Sequence, residues 1–205
     1  YQLNIPYDSE EALETADTIM NFIQETAHAA SRNLAEEKGV FENYDQSVYK
    51  TRGIKYRNAT TTTIAPTGTL SILAGCSSGI EPLFALSFVR NVMDNDKLLE
   101  VNPYFEKVAR EQNFYSEALM SQVAEKGSIQ HIDGIPEAVK KVFVTAHDVS
   151  ADWHIRMQAA FQKHTDNAVS KTVNLPNDAT VEDVRKVYDL AHNLGCKGVT
   201  IYRDG

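Results

Sequence analysis

Four consecutive threonines lead into a proline-glycine turn in the segment Ala59-Thr-Thr-Thr-Thr-Ile-Ala-Pro66-Thr-Gly68-Thr-Leu-Ser-Ile-Leu-Ala-Gly75. β-Branched side chains are stiff at χ1, and from Ala59 to Ile64 they follow no 3.6-residue period, which predicts a short buried strand. Pro66 fixes φ and denies a helix before it, and Gly68 allows close backbone approach. From about Thr67 the pattern predicts a helix, with a hydroxyl residue at its start and Gly75 at its end. A strand that turns into a helix presents unpaired amide hydrogens and the positive end of a dipole. That is an anion site, phosphate being the commonest occupant. A capped helix start with no ligand is the plainer alternative. The segment is neither a Walker loop nor a Gly-x-Gly-x-x-Gly fingerprint.

Charge narrows the partners. The formal net charge is −8 and no Lys/Arg cluster is present, which argues against nucleic acid and anionic membrane as partners. A small phosphorylated ligand is compatible, because one helix end can hold it locally. The 205 residues, 42% of them hydrophobic, suffice for one unit with its own core, taken as residues 1–205. Cys76 and Cys196 form neither a disulfide framework nor a Cys-x-x-Cys pair, which suits a reducing, cytoplasmic setting. There is no apolar run of membrane length and no signal pattern at Tyr1-Gln-Leu-Asn. The first residue is not Met, so the expectation is open to a piece of something longer.

Along the chain, residues 9–38 predict one long helix: Ser9 caps it, and Ala12, Leu13, Ala16, Ile19, Met20, Ile23, Ala27, Ala30 and Leu34 mark a core stripe up to Gly39. Residues 40–55 read as loop with about one turn of helix. Ser77 to Pro82 is punctuated as a tight loop, and Leu83 to Val92 as a strand. Glu81 has two readings, a loop carboxylate satisfied by backbone amides or a group beside a substrate pocket. Residues 103–126 predict two helices divided near Asn113, the second capped by Ser116 with Leu119, Met120 and Val123 inward. Pro136 starts a short helix through Lys141. Ser150 caps a helix to about His164 with Trp153, Met157, Ala160 and Phe161 on its apolar side. His147, His154 and His164 are poorly spaced for a metal, because ten positions at about 100° per residue put His154 and His164 on different sides of the helix. Thr165 to Ser170 reads as a turn, and Lys171 to Asn174 as a strand whose polar end makes Asn174 a candidate pocket residue. Thr180 caps a helix over 181–193, Gly195 stops it, and residues 197–202 form a strand. Thr-rich strands at 59–64, 171–174 and 197–202 between helices predict an α/β fold with parallel strands and helical crossovers, in the manner of an incomplete barrel.

Ala65-Pro66-Thr67-Gly68-Thr69-Leu70-Ser71-Ile72, followed by Gly75-Cys-Ser-Ser-Gly-Ile-Glu81-Pro82, closely resembles the catalytic chain of ribonucleotide reductases, in particular the adenosylcobalamin-dependent class II enzymes. The likeness continues through residues 84–90, 127–130, 144–148, 153–160, 164–174 and 195–205, nearly the whole chain in order. It implies that Pro66, Thr67, Gly68, Thr69, Leu70 and Ser71 hold substrate phosphates, of a ribonucleoside diphosphate or triphosphate. The Gly-Ile-Glu-Pro wording suggests the second reading of Glu81, a group near the substrate pocket, with the loop carboxylate as the alternative. It further implies the C-terminal half of a catalytic domain that is a ten-stranded α/β barrel of two half-barrels, with adenosylcobalamin as cofactor and the remainder of the catalytic chain as partner; oligomeric state, a homo-oligomer included, stays open. The Asn-x-Cys-x-Glu loop that carries the family's thiyl cysteine is absent from this sequence, and neither Cys76 nor Cys196 stands in a catalytic context. Ile201 precedes a lone Tyr202 where class I enzymes carry two adjacent tyrosines, which accords with a cobalamin-dependent class. The expectation is therefore a phosphate-binding piece that does not turn over alone. Rival readings are a non-catalytic interaction module, as one half of a split enzyme, and a stand-alone phosphate-binding domain.

Overall fold

Helix starts follow from local hydrogen-bond supply. The first amides of a helix have no carbonyl of their own helix to bond, and an Asn, Ser or Thr before them can accept instead. In the computed structural model, which describes residues 1–91 and 97–205, side chains of Ser9, Asn102, Ser116, Ser150 and Thr180 do this for α1 (Glu10–Lys38), α4 (Pro103–Glu111), α5 (Glu117–Lys126), α7 (Ala151–Gln162) and α8 (Val181–Asn193). Thr180 and Asp183 complete a reciprocal capping box. Three shorter helices lack a side-chain cap: α2 (Val48–Thr51), α3 (Gly68–Ala74) and α6 (Glu137–Val142). α3 stops, as expected, at Gly75, whose φ of 62° is a left-handed conformation that glycine adopts without strain.

The strands depart further from expectation. β1 (Ser87–Asn91) begins later than the expected strand from Leu83, and Val92 lies outside the described residues. It pairs antiparallel with β2 (Lys97–Val101), which periodicity did not announce, in a register of Ser87 opposite Val101. β3 (Thr172–Leu175) and β4 (Thr200–Arg203) are parallel, Thr172 opposite Thr200 and Asn174 opposite Tyr202, with α8 as the crossover. The expected strand at 59–64 is corrected: it makes one parallel bridge, Ile64 to Val169. Its amides explain this. The Asp166 carboxylate accepts from Thr61 N (2.7 Å) and Thr62 N (3.3 Å), so these donors serve a side chain rather than a ladder. The fold is thus mixed α/β, mostly helical with few strands. Two two-stranded sheets stand where the expected half of a ten-stranded barrel would have more, and no closed barrel forms among the described residues.

Two cores result. Phe105, Met120, Val123 and Ile129 are fully buried where α4 to α6 close over the hairpin. Val173 and Leu175 on one face of β3 meet Ile155 of α7 and Val187 and Ala191 of α8, which puts Thr172 and Asn174 on the opposite face. α1 packs on α7 through Ala12, Ala16 and Met157, the two alanines being small enough to let the helices approach. The expected stripe of α1 is therefore half right. Ala12, Ala16 and Met20 are buried, whereas Ile19 and Ile23 are 46% and 45% exposed. α7 departs in the opposite sense, burying polar His154, Gln158 and Gln162 alongside Met157.

Asp166 joins these parts. Besides Thr61 and Thr62 it accepts from Gln24 Nε2 (3.2 Å) and meets His28 Nε2 at 3.1 Å, both on α1. Burial alone would raise its pKa, but the N–H and O–H of Thr61 and the His28 ring outweigh burial and hold it below the ordinary carboxylate value. Its folded pKa is depressed, so its stabilisation is present above the unfolded value of about 3.9 and is lost as pH falls through the folded value. Asp166→Asn is expected to cost about 2 kcal/mol at pH 7. It should also flatten the acid limb of stability measured by urea unfolding, and an unchanged midpoint at pH 7 would contradict this role.

Candidate functional site

Thr67 stands at the N-cap of α3 and accepts Ser71 N on its carbonyl at 2.8 Å. Its hydroxyl does not cap the helix but lies 3.2 Å from Ser78 Oγ in the following loop. The amides of Gly68, Thr69 and Leu70 therefore open the helix with neither an intrahelical carbonyl nor a side-chain cap. Pro66, Gly68, Thr69 and Leu70 are exposed, Thr67 and Ser71 half-buried, and Ser71 Oγ donates to Gly68 O at 2.7 Å. A Cβ built on Gly68 would meet nothing within 4 Å, so the open side of this residue is free of protein.

The loop behind the turn is held from below. Tyr7 donates its hydroxyl to Ile80 O at 2.7 Å. Glu81 accepts Thr172 N on one oxygen (2.6 Å) and Lys171 Nζ on the other (2.8 Å). Both readings of Glu81 thus have a physical basis: it is satisfied by a backbone amide and a cation, and it also lines a cleft of about 810 Å³ together with Ser71, Ile72, Tyr7, Ile19 and Phe88. Asn174 lies elsewhere, half-buried on the β3 face that it shares with Thr172 and, across the pair, with Thr200 and Tyr202.

Lys171 and His154 were not singled out as site residues from the sequence. The ammonium of Lys171, 2% exposed, reaches His154 Nδ1 (2.8 Å) and Thr172 O (2.7 Å) as well as Glu81. His154 Nε2 lies 3.0 Å from the Ala146 carbonyl, an acceptor only, so Nε2 carries the proton and Nδ1 receives Lys171. Burial first, and then the Lys171 charge, lower the His154 pKa to about 4. Burial also lowers that of Lys171, against the opposing pull of Glu81. The available signal was a lone lysine inside the otherwise uncharged stretch Val169 to Leu175. The three histidines considered for metal have separate surroundings: His147 lies edge-on to Phe84, His164 is 3.1 Å from Asp17, and His154 is buried as described. Among the described residues, no three His, Cys, Asp or Glu side chains gather to hold a metal.

The family description "Ribonucleotide reductase, barrel domain" matches residues 1–56 and 50–202. The chain belongs to the ribonucleotide reductases. Within that family it is 56% identical over 203 residues to a vitamin B12-dependent ribonucleoside-diphosphate reductase of Thermoplasma acidophilum, covering 99% of this chain and 26% of the relative. A protein of the same name from Mycobacterium tuberculosis is 48% identical, with 99% and 29% covered. Among solved structures, the class Id ribonucleotide reductase α subunit of Actinobacillus ureae matches with a TM-score of 0.83 at 28% identity, over all of this chain and 36% of that one. The chain thus spans about a quarter to a third of the length of these reductases.

The His154 environment has a measurable consequence. Its folded pKa lies below the unfolded value of about 6.5, so its contribution is fully present above that value and is lost as pH falls toward about 4. His154→Gln is expected to remove much of the stability slope between those limits. A slope the same as that of the unsubstituted chain would contradict the neutral, buried imidazole.

Proposed function

We propose that this chain is part of a vitamin B12-dependent ribonucleoside-diphosphate reductase and that residues 66–71 hold the substrate phosphates. The names of the relatives at 56% and 48% identity support the reductase reading. One structural observation carries the cradle. The first turn of α3 is exposed and, like those of the short helices α2 and α6, takes no side-chain cap, but here the N-cap hydroxyl of Thr67 is turned to Ser78 and the turn has the Pro66-Thr-Gly-Thr-Leu-Ser71 wording. Phosphate oxygens are the acceptors that such amides lack. The Thr69 hydroxyl adds a donor at the same turn, while Ser71 donates to Gly68 O and Thr67 meets Ser78, and Glu81 and Asn174 are proposed as pocket residues. The chain's own contribution is to bind and orient the diphosphate.

Deoxyribonucleotide formation also needs a radical, which adenosylcobalamin supplies in enzymes of this kind. The large cleft is lined by Glu81, Glu100, Cys76 and Met157 among others and by no histidine, and this mixed set does not identify a cobalamin site. No step is derived through it. Cys76 is exposed at the end of α3, and Cys196 is half-buried with its thiol pushed up by burial, away from the reactive thiolate. We therefore propose that residues 1–205 act as one unit, which the remainder of the catalytic chain completes and which does not turn over by itself. A specific observation also favours an interaction role. Ile72 and Leu73 on α3 and Phe22 on α1 are 82%, 80% and 71% exposed, apolar surface for that remainder to cover. No helix among the described residues is long and apolar enough to cross a membrane.

Calorimetric titration with cytidine diphosphate tests the cradle. Gly68→Glu should abolish binding while leaving the melting temperature unchanged, because a side chain at Gly68 meets no protein atom and its carboxylate would repel phosphate. Binding retained by Gly68→Glu would overturn the assignment. In the same preparation, deoxynucleotide formation with adenosylcobalamin is expected to be absent; turnover by the isolated chain would overturn the incomplete-unit reading.

A further inference from the structure

Lys171 is a buried cation that the proposed phosphate binding does not use. Taking an ammonium out of water is costly unless charge and hydrogen bonds compensate it, and here all three hydrogens have acceptors: Glu81 Oε2, His154 Nδ1 and Thr172 O. Such a group could be core filling. Its acceptors argue otherwise, because they join the scaffold to the α3 turn in an unbroken series. His154 belongs to α7 and is anchored at Ala146 O. Glu81 belongs to the loop after α3, and its second oxygen takes Thr172 N of β3. Within that loop Glu81 N donates to Ser78 O at 3.2 Å, and the Ser78 hydroxyl meets that of Thr67. Gly79, at φ 53°, brings the same loop against Ile64 and Ala65, the residues that lead into Pro66; a Cβ there would stand 3.7 Å from Ile64 Cγ2. The loop therefore holds the turn from both sides, and the loop itself is held by the Lys171–Glu81 ion pair together with Thr172 N on Glu81 and the Tyr7 hydroxyl on Ile80 O. Among the described residues α3 shows no other anchor of this kind, and none of its residues is buried.

We propose that Lys171, with His154 as acceptor and Glu81 as counter-ion, is a positioning group that fixes the Ser77–Pro82 loop on β3 and thereby sets the N-terminal turn of α3. This rests on the cradle reading for its consequence to binding but not for its geometry. Lys171 touches no substrate; its effect passes through Glu81 and Ser78 to Thr67. The charge matters, not the bulk: an uncharged side chain of equal length would fill the space and release the loop.

Amide hydrogen exchange on the 205-residue chain tests this directly, in Glu81→Gln and Lys171→Met. Glu81→Gln leaves no carboxylate stranded in the interior, and Lys171→Met keeps the length of the side chain. Both are expected to speed exchange at Ser71 to Cys76 by about tenfold or more while α4 and α8 exchange at the original rate. Cytidine diphosphate binding should weaken by about tenfold, about 1.4 kcal/mol. Exchange at Ser71 to Cys76 unchanged in both variants would overturn the proposal. So would acceleration by the same factor in α4 and α8, because the cluster would then hold the whole fold and not the turn. If the unsubstituted chain fails to bind cytidine diphosphate, the cradle reading falls, and the exchange pattern still decides for or against the positioning group.

Discussion

Three segments, residues 59–64, 165–171 and 197–203, meet beside α7 with only a partial ladder between them, and their backbone groups must find partners elsewhere. Buried N–H and C=O groups left unpaired cost free energy comparable to a lost hydrogen bond. α7 answers with a polar stripe at four-residue spacing. Gln158 Nε2 donates to Val169 O and Gly198 O, and Gln162 donates to Thr165 O and Asn167 O while accepting Val169 N and Lys197 N. Asp166 does the same for Thr61 and Thr62. The stripe ends at His154, which receives Lys171. These side chains tie the three segments together where the ladder between them is short, and in the proposed positioning role of Lys171 the same stripe reaches the α3 turn.

The functional consequence follows from where the polarity is spent. β3 faces α7 and α8 with Val173 and Leu175 and leaves Thr172 and Asn174 on its other face. α3 is held at its base through Ser78 and is bare at its first turn. α2 and α6 also start without a side-chain cap, so the proposed anion site rests on the residues of the α3 turn as well as on its free amides; a net charge of −8 does not oppose it, because the partial charges of a helix end act locally.

What the sequence disclosed was local. Ser9, Ser116, Ser150 and Thr180 mark helix starts because a cap needs only the next three residues, and Gly75 marks a stop because few residues tolerate its φ. The Thr67–Gly75 helix was legible for the same reason. What failed was non-local. The threonines at 60–63 read as a strand, but a strand is completed by its neighbour, and Asp166, more than a hundred residues on, takes two of the amides. Ile19 and Ile23 fit the helical stripe of α1, yet burial depends on which flank meets α7. His154, Gln158 and Gln162 were invisible to hydrophobic periodicity because they are buried for their hydrogen bonds. Residues 66–71 and Glu81 were reached through the wording of the segment, which singled out a helix start that its chemistry alone left as ordinary as any other.

The central claim is that the first turn of α3 is a phosphate cradle. Backbone amide NMR during titration with cytidine diphosphate, and separately with cytidine, tests it most directly. The account predicts shifts concentrated at Gly68, Thr69, Leu70 and Ser71 with the diphosphate and none there with the nucleoside. Shifts of equal size with both ligands, or amides at 68–71 that stay in place while other regions respond, would contradict it.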